Sequence, residues 1–131
     1  MARSYVLDTH AFVFMLAAPK KLGARARTIL ERVEKGDGSA VLCAPVVAEV
    51  LLLRGLGRVG VGLADVRDCL ANAPGLRFSP LDLNALDEFA ALGAIADPFD
   101  RLIVSVARSL RAPLLTRDGA LGASSLVETI W

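Results

Sequence analysis

The sequence predicts an α/β fold built on a mainly parallel sheet of about five strands, and three observations support that class. Short apolar runs alternate along the chain with segments of helical periodicity, which is typical of parallel strands joined by helices. Apolar residues make up 54% of the chain and mean hydropathy is +0.51, which excludes a disordered protein. At 131 residues, the chain suits one compact domain, so we expect a single domain over residues 1–131.

Five short apolar runs, each bounded by polar or turn residues, are predicted to be strands. They cover residues 4–7, 40–43, 76–79, 113–115 and 126–129. Because helical segments separate most of them, parallel pairing is the expected arrangement.

The segments between these strands carry helix signals. The predicted helices cover residues 10–18, 22–35, 45–53, 63–71, 82–92 and 98–110. Gly36-Asp37-Gly38 ends the second helix, Pro45 opens the third, and glycines at 55, 57, 60 and 62 break the chain before the fourth. Asp97-Pro98 opens the sixth, because aspartate at the N-cap followed by proline is a favoured helix start.

Composition excludes several classes of protein. The longest apolar stretch, Val41 to Leu53, has 13 residues, whereas a membrane-spanning helix needs about 20. Asp8 and His10 interrupt an N-terminal segment that otherwise resembles a signal peptide, so we do not expect secretion. Two cysteines fit neither a disulfide framework nor a zinc site. We therefore expect a cytoplasmic protein without membrane association, whose apolar excess leaves surface for a protein partner.

Four carboxylates interrupt segments that should be apolar. They are Asp8, Glu49, Asp100 and Asp118. Asp8 and Asp118 follow the first and fourth strands, at the edge where parallel α/β sheets bind ligands. Glu49 and Asp100, which we expect in the early part of their helices, could reach the same crevice.

Four carboxylates in one crevice need a physical explanation. Two carboxylates about 5 Å apart repel by roughly 3 kcal/mol at an effective dielectric of 20, so four of them require protonation or a bound cation. An all-oxygen set favours Mg²⁺ or Mn²⁺ over zinc, and such ions activate water for phosphodiester hydrolysis. The net charge of +1 gives no overall nucleic-acid signal, although twelve of the fifteen basic residues are arginine, which suits phosphate contacts.

Each acid also has a structural alternative. Asp8 could cap the helix that follows it, Glu49 could pair with Arg54, and Asp118 could be a turn residue. Asp97 is best explained as the N-cap of its helix, with a supporting role behind the metal ligands as the alternative.

Five segments follow one another in a recognisable order. They are Tyr5-Val6-Leu7-Asp8-Thr9-His10-Ala11, Leu16–Leu30, Pro45-Val46-Val47-Ala48-Glu49-Val50, Asp97-Pro98-Phe99-Asp100-Arg101-Leu102-Ile103 and Leu114-Leu115-Thr116-Arg117-Asp118. Together they resemble the PIN-domain ribonucleases, most closely the VapC toxins of bacterial toxin–antitoxin pairs. The chain departs from that pattern at residues 93–96, which lack a histidine often seen in relatives, and at Leu53, where many relatives have a basic residue.

The resemblance implies a PIN-like three-layer α/β/α sandwich and a Mg²⁺- or Mn²⁺-dependent endoribonuclease that uses metal-activated water. It makes Asp8 and Asp100 the principal metal ligands, with Glu49 and Asp118 completing the acidic set. Further residues are expected to support carboxylates or contact substrate: Thr9, Asp97, Arg101, Thr116 and Arg117. The implied partners are an RNA substrate, a cognate VapB-type antitoxin and a second copy of the chain.

Two other functions compete with the ribonuclease. One is a catalytically idle PIN-like scaffold that only binds RNA or protein, which an intact acidic set disfavours. The other is a phosphoacceptor or phosphatase using Asp8 as nucleophile, which is disfavoured because Asp8-Thr9-His10 lacks a second acid two residues on.

Overall fold

The computed structural model describes residues 3–131 and contains one five-stranded sheet. Its strands are β1 (Ser4–Leu7), β2 (Ser39–Cys43), β3 (Leu76–Ser79), β4 (Leu114–Leu115) and β5 (Thr129–Ile130). They lie in the order β3-β2-β1-β4-β5, and all four pairings are parallel. The predicted α/β class and parallel sheet are therefore confirmed.

Helices cover both faces of this sheet and complete the predicted three-layer sandwich. They are α1 (Thr9–Ala17), α2 (Ala24–Lys35), α3 (Ala44–Gly55), α4 (Leu63–Asn72), α5 (Leu83–Ala91), α6 (Pro98–Ser109) and α7 (Gly119–Ala123). A turn of 3₁₀ helix, Pro19–Lys21, separates α1 from α2. None of the helices within residues 3–131 has the length and apolar character needed to cross a membrane.

The prediction was wrong in two places near the C-terminus. Helix α7 was not predicted, and the last strand lies at Thr129–Ile130 rather than at 126–129. Both differences have one cause, because residues 119–123 form a helical turn and Ser125 then adopts a left-handed conformation with φ of 60°. Leu126 is consequently used for packing against the core, and pairing with β4 begins later.

The core is centred on β1, β2 and β4. Val6, Leu7, Val41, Leu114 and Leu115 are completely buried in these three strands. Burying each such side chain stabilises the fold by about 1.5–3 kcal/mol, so the centre of the sheet is rigid. The backbone that carries the side chains at the ends of these strands is therefore held in place by the core.

The strand order reverses next to β1. From β1 the chain builds β2 and then β3 on one side of it, and later places β4 and β5 on the other side. The carboxyl ends of β1 and β4 thus lie beside each other, with Leu7 in register with Leu115. Parallel α/β sheets bind ligands at such a reversal, which puts the candidate site after Leu7 and Leu115.

The last residue of the chain is fixed to the start of α2. The carbonyl oxygen of Trp131 accepts hydrogen bonds from the backbone nitrogens of Arg25 (3.2 Å) and Ala26 (3.3 Å). Gly23, the N-cap of α2, provides no side-chain cap, and a Cβ atom at this position would lie 2.4 Å from the same carbonyl oxygen. Glycine is required there because another part of the backbone occupies the space of a side chain.

Candidate active site

The four predicted acids share one pocket with a volume of about 430 Å³. Its lining consists of Asp8, Thr9, His10, Glu49, Asp97, Asp100, Arg117 and Asp118. These residues come from the β1–α1 junction, from α3, from the start of α6 and from the segment after β4, so four distant parts of the chain meet here. The structure brings together every carboxylate that sequence reasoning selected.

Asp8 is held by both of its carboxylate oxygens. Oδ1 accepts a hydrogen bond from the backbone nitrogen of Ala11 at 2.9 Å, which makes Asp8 the N-cap of α1. Oδ2 accepts a hydrogen bond from the hydroxyl of Thr116, a buried residue that directly follows β4. Burial raises the pKa of Asp8, and the hydrogen bonds from Thr116 and Ala11 partly oppose that rise. The Asp8 side chain therefore caps α1 and faces the pocket at the same time.

Glu49 projects into the pocket from near the middle of α3. Its expected position in the early part of the helix was wrong, because α3 already begins at Ala44 and continues to Gly55. The hydroxyl of Thr9 donates a hydrogen bond to Glu49 Oε1. The alternative pairing with Arg54 is not formed, since Arg54 Nη1 donates to the carbonyl oxygen of Gly60 at 2.7 Å instead.

Asp97 and Asp100 lie at the start of α6. Asp97 is the N-cap, as predicted, and its Oδ1 accepts a hydrogen bond from the backbone nitrogen of Asp100 at 2.9 Å. Burial, followed by repulsion from Asp97, Asp118, Glu49 and Asp8 in that order, raises the pKa of Asp100 to about 6. Asp100 is thus the carboxylate that experiences the charge of all the others.

Asp118 caps α7. Its Oδ1 accepts hydrogen bonds from the backbone nitrogens of Ala120 (2.9 Å) and Leu121 (3.2 Å). Asp118 is therefore not a plain turn residue. It caps α7, a helix that sequence reasoning missed. A five-residue helix is too short to show hydrophobic periodicity, so Asp118-Gly119 was the available signal.

The chemistry of this donor set fits a hard divalent cation. As the side chains stand, no three His, Cys, Asp or Glu groups within residues 3–131 are arranged to hold an ion together. The carboxylates nevertheless share a pocket, and an oxygen that accepts one hydrogen bond keeps a second lone pair for a metal. An oxygen-only set of this kind fits Mg²⁺ or Mn²⁺, and binding requires the side chains to draw closer.

The two arginines selected from the sequence have different positions. Arg117 lines the acidic pocket. Arg101 is directed elsewhere, because its Nε and Nη2 atoms donate to the carbonyl oxygen of Phe89 at 2.9 and 2.6 Å. Its guanidinium also lies 4.0 Å from the centroid of the Phe89 ring, so Arg101 connects α6 to α5.

A larger groove with a volume of about 1020 Å³ opens beside the acidic pocket. The two cavities share Thr9, His10, Glu49 and Arg117. Apolar residues form much of its wall: Val13, Phe14, Leu16, Leu53, Val59 and Val61. Sequence reasoning missed this groove, because residues 58–61 were interpreted only as a glycine-rich break between helices.

The chain is an α/β protein with a parallel sheet and an acid-lined pocket at the point where its strand order reverses. The PIN domain model matches residues 5–123, and the chain therefore belongs to the PIN domain family. A comparison with curated proteins found no match.

Several solved structures share this fold. VapBC2 from Rickettsia felis, bound to a DNA fragment from its promoter, matches with a TM-score of 0.72 and 18% identity over 98% of each chain. FitAcB from Neisseria gonorrhoeae has a TM-score of 0.66 and 19% identity, covering 97% of this chain and 96% of that one. VapBC-1 from nontypeable Haemophilus influenzae has a TM-score of 0.65 and 17% identity, with the same coverage. At these identities the likeness shows a common fold.

Proposed function

We propose that this PIN-domain protein is a divalent-metal-dependent endoribonuclease and the toxin of a VapBC-type toxin–antitoxin pair. The observation that carries the nuclease assignment is the convergence of Asp8, Glu49, Asp100 and Asp118 on one pocket. Carboxylate-held divalent ions are a common means of phosphodiester hydrolysis. The toxin assignment is supported by a shared fold with solved toxin–antitoxin complexes over nearly the entire chain.

Asp8 and Asp100 are the residues that we assign to hold Mg²⁺ or Mn²⁺, and Glu49 and Asp118 complete the set. When bound, such an ion supplies positive charge that stabilises a phosphodiester under attack and makes water more acidic. Thr116 and Thr9 donate hydrogen bonds to Asp8 and Glu49, which fixes the orientation of these two carboxylates.

Glu49 is the carboxylate that we assign to accept a proton from the attacking water, because it caps no helix and faces the pocket. In that step the water oxygen bonds to phosphorus and the bond from phosphorus to the leaving ribose oxygen breaks. One water proton passes to Glu49, and solvent returns a proton to the leaving oxygen. Among residues 3–131 neither cysteine lines the acidic pocket, and burial raises the pKa of Cys43 to about 11, so we propose no covalent intermediate.

The test is cleavage of labelled single-stranded RNA with Mn²⁺ and with EDTA. The wild-type protein should cut with Mn²⁺, and Asp8→Asn and Asp100→Asn should each lower the rate by about a hundredfold or more. Asp87→Asn is the matched control, because Asp87 is an exposed residue of α5 outside the pocket. Cleavage that persists in EDTA would contradict the proposal.

A catalytically idle scaffold is the second candidate, and one observation favours it. No three ligand side chains among the described residues are arranged around a common point. A scaffold of this kind would bind RNA in the same experiment without cutting it under any metal condition. Mn²⁺-dependent cleavage lost in Asp100→Asn would exclude it.

The antitoxin partner is proposed to place an apolar segment in the larger groove. Val13, Leu53 and Val59 give the groove an apolar wall, and Asp65 and Asp68 add negative charge at positions outside the acidic pocket. An apolar segment with basic flanks matches this lining. The protein encoded next to this chain should co-purify with it and inhibit cleavage. Val59→Asp should break that complex, whereas Leu110→Asp, on an exposed leucine outside the groove, should not.

A homodimer is proposed from exposed leucines on α3, directly after α3 and on α5. Leu52, Leu56 and Leu83 are 57%, 68% and 78% exposed, which is unfavourable for an isolated monomer. Light scattering should give the mass of two chains for the wild-type protein. Leu83→Glu combined with Leu52→Glu should yield monomers, and a monomeric wild-type protein would contradict this proposal.

A further inference from the structure

The ring of Phe14 is the centre of a cluster that the nuclease chemistry does not use. The Arg117 guanidinium lies 5.0 Å from the ring centroid, and the Lys21 ammonium lies 5.6 Å from it. The ring is itself buried, and His10 and Trp131 pack against it with centroid distances of 5.9 and 6.3 Å. Two cations therefore share a fixed aromatic support.

Neither cation is neutralised by a carboxylate within the described part of the chain. The three ion pairs among residues 3–131 involve Arg3, Arg27 and Arg108. Arg117 makes no such pair although it lines the pocket that contains the acidic set. The charges of Arg117 and Lys21 are thus available to a ligand that approaches the groove.

The two cations follow the acids in a defined order. Arg117 lines both the acidic pocket and the larger groove, whereas Lys21 lines only the groove. A ligand that runs from the acids into the groove therefore meets Arg117 first and Lys21 next. Regularly spaced negative charges along one strand match this order.

We propose that Arg117 and Lys21, held by Phe14, form a subsite for the two phosphates of a single RNA strand next to the cleaved phosphodiester. This inference rests on the proposed ribonuclease function, and it specifies a substrate strand that extends into the groove by at least two nucleotides. Arg117 contacts the nearer phosphate with its planar donor fork, and Lys21 contacts the farther one as a point charge.

Phe14 is a positioning residue in this subsite. Arginine and lysine side chains lose rotamer entropy when they become fixed. Contact with an aromatic face restricts them before the substrate arrives, so less of that entropy is lost on binding. Because the ring is buried, it supports the cations and does not stack on a nucleobase.

The test is binding of uridine oligonucleotides with one, three or five phosphodiesters, measured by fluorescence anisotropy. Asp100→Asn protein in EDTA is the parent, because it lacks the metal and one of the repelling charges. Arg117→Met and Lys21→Met should each weaken binding of the longer oligonucleotides on the order of tenfold, the loss of one charge-assisted contact. Each should also reduce the slope of log affinity against log salt by about 0.7.

Two further variants separate positioning from charge. Phe14→Leu should weaken binding of the longer oligonucleotides but leave the salt slope unchanged, because no charge is lost. Arg117→Lys should restore most of the salt slope. Arg32→Met, on an exposed arginine of α2 outside both cavities, is the control and should bind like the parent.

The results of these binding experiments bear on the phosphate subsite separately from the nuclease proposal. Tighter binding of three phosphodiesters than of one, lost in the Arg117→Met/Lys21→Met double variant, would support the subsite. Unchanged binding in both single variants, or no binding by the parent, would overturn it, while RNA cleavage by wild-type protein would still test the nuclease proposal. If Arg117→Met and Lys21→Met weaken antitoxin binding but leave RNA binding unchanged, the subsite proposal is also overturned. If Phe14→Leu unfolds, the two variants at exposed positions still decide the question.

Discussion

Replacing Asp100 with asparagine should stabilise the metal-free protein at neutral pH. Asp100 lies among four other carboxylates, and their repulsion together with burial raises its pKa from 3.8 to about 6. Asparagine has nearly the same shape and carries no charge. The Asp97 cap is retained, because Asp97 accepts its hydrogen bond from the backbone nitrogen of residue 100.

The size of the effect follows from three contributions. The pKa difference from 3.8 to about 6 corresponds to about 3 kcal/mol before screening. Asp100 is only partly buried, so solvent screening reduces this figure to about 1.5 kcal/mol. The loss of a negative charge in the first turn of α6 costs about 0.5 kcal/mol. The net gain in unfolding free energy is about 1 kcal/mol, or about 3 °C in Tm.

The pH dependence gives this prediction its sign. An acid whose pKa is raised in the folded state binds its proton more tightly there than in the unfolded chain. Asp100 therefore costs no stability below about pH 4, costs progressively more as pH rises through its folded pKa of about 6, and has its full cost above that pH. The variant and the wild-type protein should be equally stable near pH 4 and differ most at pH 7–8.

The assay is urea unfolding followed by circular dichroism in EDTA at several pH values. Asp87→Asn, on an exposed position of α5, should show no comparable pH-dependent gain. Adding Mn²⁺ should reverse the order, because the wild-type protein binds the ion better than the variant. An Asp100→Asn variant that is less stable than wild type at pH 7.5 without metal would refute the repulsion argument and make Asp100 chiefly a helix-start residue.

Other positions give predictions of different kinds. Gly23→Ala should lower stability by about 1–3 kcal/mol in thermal unfolding, because its Cβ would meet the carbonyl oxygen of Trp131 at 2.4 Å; a neutral result would contradict that contact. Thr116→Val should reduce Mn²⁺-dependent cleavage by about 10–100-fold with the fold retained, since the first-strand aspartate loses its hydroxyl donor. Arg101→Met should lower stability by about 1–2 kcal/mol through its lost hydrogen bonds to Phe89 and leave RNA affinity unchanged; weaker RNA binding with normal stability would assign Arg101 to substrate instead.

The parts of the site that sequence reasoning predicted are those fixed by the sheet. Asp8 follows a buried strand, and the apolar runs on both sides of the reversal are easily recognised. Parallel strands bring their carboxyl ends to one edge, so an acid after β1 and an acid after β4 had to lie near each other. The Asp97-Pro98 start of α6 was equally predictable, because helix caps depend on a few adjacent residues.

What sequence reasoning missed depends on contacts between distant segments. The direction of Arg101 is determined by Phe89, a residue on another helix, and adjacent residues give no sign of it. Helix α7 is too short for a periodic pattern, and the groove exists only because α1 and the segment before α4 face each other. The cluster around Phe14 likewise joins residues from α1, the 3₁₀ turn and the segment after β4.

The reversed strand order has a consequence for synthesis of the protein. A ribosome that has released residues 1–97 has supplied β1, β2 and β3 but neither β4 nor the acids at 100 and 118. The nascent chain therefore lacks one side of the pocket until the segment that carries Asp100, β4 and Asp118 emerges and β4 pairs with β1. The proposed RNA-cutting activity needs the acids on both sides of that pairing, so it cannot begin until residues 98–118 have emerged and β4 has joined the sheet beside β1.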